Sequence, residues 1–263
     1  MRIQNQNGMK LFNSLFFLIL VLLLGCKEAK EEQQEVKQIT IYTIGDSTMA
    51  NKPNPDENPE RGWCQMIPQF FNDNVSIENH AVNGRSTRSF INEGRWDSIY
   101  SKLNKGDYVF IQFGHNDQKV NDPKRYTNPH TSYRHNLIRF VNETRERGAH
   151  PVLFSSIVRR NFNEVGTLVD THGEYPTETR LVAQELEVPF IDLQYLTELM
   201  EEEYGIEGSK NLHLHYEAGE IPYYPDGKTD DTHLSVLGAN NVAKLAIEEL
   251  ENKVESLRVF IKK

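Results

Sequence analysis

The stretch Ile39-Thr40-Ile41-Tyr42-Thr43-Ile44-Gly45-Asp46-Ser47-Thr48 decides the fold. Its first six residues are apolar, β-branched or aromatic, the composition of a buried strand, and Gly45-Asp46 supplies the residues of a sharp turn. Such a turn holds Ser47 up at the strand's carboxyl end. Serine is a weak nucleophile until a base takes its proton, so this reading requires a base and an oxyanion site elsewhere in the chain. Asp230-Asp231-Thr232-His233 offers the base, and Gly84 and Gly114-His115-Asn116-Asp117 each follow an apolar segment that reads as a neighbouring strand.

Outward from this stretch, short apolar runs alternate with longer amphipathic ones. Strands are expected at Thr40 to Ile44, Val75 to His80, Tyr108 to Phe113, Val152 to Ile157 and Phe190 to Asp192. Helices are expected near Gly62 to Phe71, Ser132 to Arg147, Thr177 to Leu186, Gln194 to Tyr204 and Leu237 to Leu257. This alternation implies an α/β domain, a parallel sheet covered on both faces. In such sheets ligands bind beyond the carboxyl ends of the strands at the topological switch point. Ser47, Gly84 and Asn116 follow the first three strands, and a flavodoxin-like strand order gathers them at one edge.

The N-terminus reads as a targeting device. Arg2 and Lys10 precede an uncharged apolar run from Leu11 to Leu24 that closes in Leu23-Leu24-Gly25-Cys26. The run is shorter than the roughly 20 residues of a spanning helix and suits a secretory leader. A small residue followed by cysteine resembles a bacterial lipoprotein signal, which makes residues 1–25 the leader and Cys26 the lipidated first residue of the mature chain. Residues 26–37 are mostly Lys, Glu, Gln and Ala, a polar tether. The expected location is the bacterial envelope, on its periplasmic or outer side, with membrane contact through the lipid anchor alone.

Residues 38–263 then form one domain, long enough to bury a sizeable core. Loss of Arg2 and Lys10 with the leader takes the net charge from −9 to −11, which argues against a nucleic-acid partner. The chain has two cysteines, Cys26 and Cys64, so no disulfide framework supports an exported fold.

Four blocks, Gly45-Asp46-Ser47-Thr48, Asn83-Gly84, Gly114-His115-Asn116-Asp117 and Asp230-x-x-His233, stand in the order of the GDSL or SGNH hydrolase superfamily, which the chain resembles. Within it the chain is most similar to the rhamnogalacturonan acetylesterases. The finer marks are Gly62-Trp63-Cys64-Gln65, the run Asn79 to Phe90, Phe113-Gly114-His115-Asn116-Asp117 and Asp231-Thr232-His233-Leu234-Ser235. Cys64 replaces an expected small glycine, which concerns local packing.

The resemblance implies a three-layer α/β/α fold with a five-stranded parallel sheet, and a serine mechanism without cofactor or metal. Ser47 attacks an ester carbonyl, His233 carries the proton, and Asp230 orients the imidazole. One loop is expected to carry both. Asp231 is the rival orienter, or caps the following helix. The backbone N–H groups of Ser47 and Gly84 and the side-chain amide of Asn116 form the oxyanion hole.

Other residues compete. His115 is read as packing beneath the site. His213-Leu214-His215 suggests a metal pair, though a polar surface loop is the plainer reading. Arg85 and Arg88 flank Gly84 and are placed to meet a uronate carboxylate, or else serve as internal ion-pair and helix-end residues. Tyr216, Tyr223 and Tyr224, on a long segment from Tyr204 to Thr229, offer faces for sugar stacking. The expected activity is removal of O-acetyl groups from acetylated pectic rhamnogalacturonan or its oligosaccharides. The alternatives are deacetylation of xylan or another acetylated glycan, a non-catalytic glycan-binding lipoprotein, and a metal-dependent hydrolase.

Overall fold

β1 (Ile39–Gly45) lies inside a five-stranded parallel sheet. After the short β2 (Glu60–Arg61), which belongs to a second sheet, β3 (Val75–Asn79) pairs with one edge of β1 and β4 (Tyr108–Gln112) with the other. β5 (His150–Phe154) and β6 (Phe190–Ile191) continue outward, giving the order β3-β1-β4-β5-β6. This is the expected flavodoxin-like order. The chain reverses direction of growth at β1 and β4, so the cleft lies beyond their carboxyl ends. The computed structural model describes residues 38–263. The leader, Cys26 and the tether through Lys37 lie outside the described residues.

Alternation along the strands sorts side chains into two layers. Ile41, Phe110, Val152 and Phe154 pack on one face with α1 (Trp63–Met66), α6 (Leu193–Gly208) and α7 (Val236–Lys253). Tyr42, Ile44, Val109, Ile111 and Leu153 pack on the other with α2 (Thr87–Asn92), α3 (Arg95–Tyr100), α4 (Arg134–Glu146) and α5 (Tyr175–Glu185). The helix expected from Gly62 to Phe71 is instead the four residues of α1 and a 3₁₀ turn, Ile67–Phe70. Pro68 lies at the start of that turn, where its missing N–H is tolerated.

The expected long loop is corrected. β7 (His213–Tyr216) and β8 (Lys228–Ser235) form a three-stranded antiparallel sheet with β2, in the order β2-β8-β7. Asp230 and His233 therefore stand on a strand, and His213 and His215 on its neighbour. Ser235, at the end of β8, accepts a hydrogen bond from Gly238 N and caps α7, the role considered for Asp231.

Candidate active site

The turn after β1 is built around Asp46. Its buried carboxylate accepts bonds from Thr48 N at 3.0 Å and Thr48 Oγ1 at 2.9 Å, while its carbonyl accepts from Met49 N and Ala50 N. Burial opposes ionisation of Asp46, but nearby His115 and the Thr48 donors outweigh it and hold the carboxyl below its ordinary value. A Cβ at Gly45 would lie 2.3 Å from Met49 Sδ and 2.6 Å from the Gln112 carbonyl, so the turn closes only on glycine.

This turn brings Ser47 Oγ to 2.9 Å from His233 Nε2. His233 Nδ1 lies 2.9 Å from Asp230 Oδ2. Asp230 Oδ1 accepts the backbone N–H groups of Thr232 at 2.9 Å and His233 at 3.0 Å, a local turn that aims the carboxylate back at the ring. Partial burial opposes ionisation, but the His233 ring and these two N–H groups hold the Asp230 carboxyl well below the usual range. A carboxylate on Nδ1 keeps that nitrogen protonated and leaves the Nε2 lone pair facing Ser47. Asp231 points elsewhere, to His215 Nε2 at 2.8 Å and Arg160 Nη1 at 3.0 Å.

Among the described residues, neither Ser47 N–H nor Gly84 N–H has an intramolecular acceptor. Gly84 adopts φ +76°, a left-handed conformation that favours glycine. Asn116 is buried, and its Nδ2 donates to the Arg85 carbonyl at 3.2 Å. Its Oδ1 accepts from Arg125 Nη1 at 3.4 Å, which leaves a second amide hydrogen for a ligand. The arrangement can take the proton of Ser47 and offer N–H groups to a developing oxyanion.

Sequence reasoning missed Lys52. In Asn51-Lys52-Pro53 a lysine reads as a surface turn residue, yet its side chain is 1% exposed. Its ammonium donates to Ser47 O at 2.7 Å and Asn83 Oδ1 at 2.8 Å, and meets Glu60 Oε1 at 2.7 Å. All three donors are thereby matched. One buried cation joins the serine turn, the residue before Gly84 and the second sheet.

Asp117 was also unassigned. Its fully buried carboxylate accepts from Thr87 N and Oγ1 and Thr127 Oγ1, tying the start of α2 to the segment after β4. Burial pushes its pKa up to about 7 despite these bonds. His115 packs edge-on against His172 at 4.5 Å, and its Nδ1 is 3.4 Å from Asp46 Oδ2. Burial holds His115 below the ordinary histidine value. It lies beneath the site, as expected.

His213 binds Glu201 Oε1 at 2.7 Å and the His233 carbonyl at 3.2 Å, whereas His215 binds Asp231. The two thus serve different partners, and among the described residues no group of three or more His, Cys, Asp or Glu side chains converges as a metal site. Arg85 pairs with Glu93 at 3.1 Å, and Arg88 Nη1 donates to the Pro123 carbonyl at 3.3 Å. Arg85 lines the groove beside Gly84, while Arg88 faces a separate recess next to Asn136. Tyr216, Tyr223 and Tyr224 form one aromatic cluster, with ring centroids 5.0 and 5.9 Å apart. Tyr216 and Tyr223 line a recess of about 750 Å³.

The chain is similar to several known proteins. Rhamnogalacturonan acetylesterase RhgT of Bacillus subtilis is 45% identical over 215 residues, covering 82% of this chain and 90% of the relative. A rhamnogalacturonan acetylesterase of Emericella nidulans is 32% identical, with 78% of this chain and 81% of that one covered. The crystal structure of YxiM from Bacillus subtilis aligns with TM-score 0.70 at 26% identity, over 82% of this chain and 57% of that one. The acetylxylan esterase Axe2 of Geobacillus stearothermophilus aligns with TM-score 0.56 at 16% identity, over 81% and 94%, a likeness of fold. The model of the GDSL-like lipase/acylhydrolase family matches residues 43–240, and the chain belongs to that family.

Proposed function

We propose that this protein is a serine acetylesterase acting on O-acetylated pectic rhamnogalacturonan or its oligosaccharides. The continuous hydrogen-bond line from Asp230 through His233 to Ser47 carries the hydrolase reading. Kinship with two relatives named as rhamnogalacturonan acetylesterases supports the substrate class.

In the proposed reaction Ser47 Oγ adds to the acetyl carbonyl as His233 Nε2 takes its proton. The carbonyl oxygen becomes an oxyanion facing the N–H groups of Ser47, Gly84 and Asn116. Collapse breaks the bond to the sugar oxygen, which leaves with the proton from His233, and the acetyl group stays on Ser47. Water then adds to this ester as His233 takes its proton. The second collapse frees acetate and returns the proton to Ser47. Asp230 keeps the imidazole in the tautomer that both halves require.

The same proposal puts this chemistry on an exported, lipid-anchored protein, a reading supported by the apolar run Leu11 to Leu24 and the cysteine that follows Gly25. The test is acetate release from acetylated rhamnogalacturonan, acetylated xylan and a small aryl acetate. Preference for the pectic substrate is expected. A preference for xylan would redirect the substrate class, and inactivity on all three would reduce the domain to a glycan binder.

A further inference from the structure

A groove of about 360 Å³ opens beside Gly84. Its lining holds three cations, Arg85, Lys124 and Arg125, against two acids, Glu93 and Asp122. Both acids already have partners, Glu93 in Arg85 and Arg95 and Asp122 in Arg125 Nε. The Arg125 guanidinium lies beside two of the residues assigned to the oxyanion hole. Its Nη1 lies 3.4 Å from Asn116 Oδ1 and 3.6 Å from the position a Cβ would take on Gly84. Among the described residues Arg125 Nη2 and the exposed Lys124 ammonium have no hydrogen-bond or ion-pair partner.

We propose that this groove binds the carboxylate of an acidic sugar at or next to the acetylated residue, with Arg125 and Lys124 as its cations. The inference rests on the acetylesterase reading and specifies which part of the substrate the protein recognises. A guanidinium edge and an adjacent ammonium suit a carboxylate, which accepts several charge-assisted bonds. A patch of this sign is unexpected on a chain of net charge −9, whose general field repels polyuronates. The surplus extends to Lys119, whose ammonium is held below its ordinary value by burial and by the cations Arg125 and Arg159. The proposal moves the carboxylate contact from Arg88, which faces another recess, to Arg125, and leaves Arg85 as a groove wall braced by Glu93.

The experiment compares acetylated uronate-containing oligosaccharides with the same oligosaccharides methyl-esterified at their carboxyl groups. The wild-type enzyme is expected to show a KM for the free acid about tenfold below that for the methyl ester, the scale of one charge-assisted contact. Arg125→Gln and Lys124→Gln should each narrow that ratio, and the double variant should abolish it. Lys124 touches neither Asn116 nor Asp122 through its side chain, so its variant separates recognition from any disturbance of the oxyanion donors. A wild-type enzyme that hydrolyses both forms with equal KM overturns the carboxylate site and leaves the acetylesterase reading intact. Variants that weaken both forms equally overturn it too, by showing a structural role. Activity on neutral acetylated glycans with none on rhamnogalacturonan fragments overturns the substrate reading and the groove together.

Discussion

The ammonium of Lys52 donates to the backbone carbonyl of Ser47 at 2.7 Å, from a position with 1% side-chain exposure. The same ammonium meets Glu60 on β2, which pairs with the strand bearing Asp230 and His233. Removing one member of a buried ion pair costs about 3–5 kcal/mol, since the other charge is stranded. Lys52→Met is therefore expected to lower unfolding free energy by about 3 kcal/mol, measured by urea denaturation, and to reduce kcat at least tenfold. Lys52→Met combined with Glu60→Leu should regain stability while kcat stays low. Recovery of both would make the pair a structural bond alone.

Ser47→Ala and His233→Ala should each lower turnover by roughly a millionfold, because members of such a unit fail together. Asp230→Asn should cost less, roughly 10⁴-fold, since the imidazole keeps its place in the wrong tautomer. Asp231→Asn should cost far less than Asp230→Asn, given that Asp231 faces His215 and Arg160. Aryl acetate kinetics on folded variants reads all four, and a reversal of the two aspartates would reassign the orienter.

Asn116→Ala should reduce kcat by about 10² to 10³ with little change in KM, the pattern of a donor used mainly in the transition state. An equal rise in KM would instead place Asn116 in ground-state binding.

Asp117 gives stability a pH dependence of definite sign. Its folded value of about 7 lies above the ordinary 3.8, so between these limits the folded state keeps a proton the unfolded chain has released. Its contribution to stability therefore falls as pH rises from about 4 to 7. Asp230 runs the other way: its depressed value stabilises above about pH 4 and is lost as acid protonates it. Urea unfolding of Asp117→Asn and wild type across this range should show the variant gaining on wild type as pH rises. Parallel curves would mean that Asp117 titrates normally.

Cys26→Ser should move the mature domain from the membrane to the soluble fraction, because one lipidated cysteine is the proposed anchor. Among the described residues no helix is long and apolar enough to cross a membrane. Fractionation of cells expressing both forms checks this, and a variant still held in the membrane would refute the lipoprotein signal.

The parallel sheet was legible because its inner strands β1 and β4 are buried on both faces and are followed by chemistry-bearing turns. Ile39 to Gly45 announces both a buried strand and the serine that follows it. The second sheet was not, since Lys228-Thr229-Asp230-Asp231-Thr232 has no apolar alternation and the pairing of Leu234 and Ser235 with Arg61 and Glu60 is long-range. Asp230 was favoured over Asp231 as the orienter through the family resemblance, although the element carrying Asp230 and His233 was misread. Lys52 left no local trace, because its burial arises from partners at positions 47, 60 and 83. Arg125 escaped for a related reason: only the tertiary fold sets its guanidinium against Gly84 and Asn116.

The bond between Ser47 and His233 spans 186 positions, whereas that between His233 and Asp230 spans three. The acid and base can thus meet within a short local turn, but the nucleophile joins them only through contacts of the longest range, which form late and at high entropic cost. A chain emerging from the ribosome, or threaded unfolded across a membrane, carries every reactive side chain without a reactive centre. Hydrolysis begins when both ends of the domain have docked, so onset of turnover after dilution from denaturant serves as a clock for completion of folding.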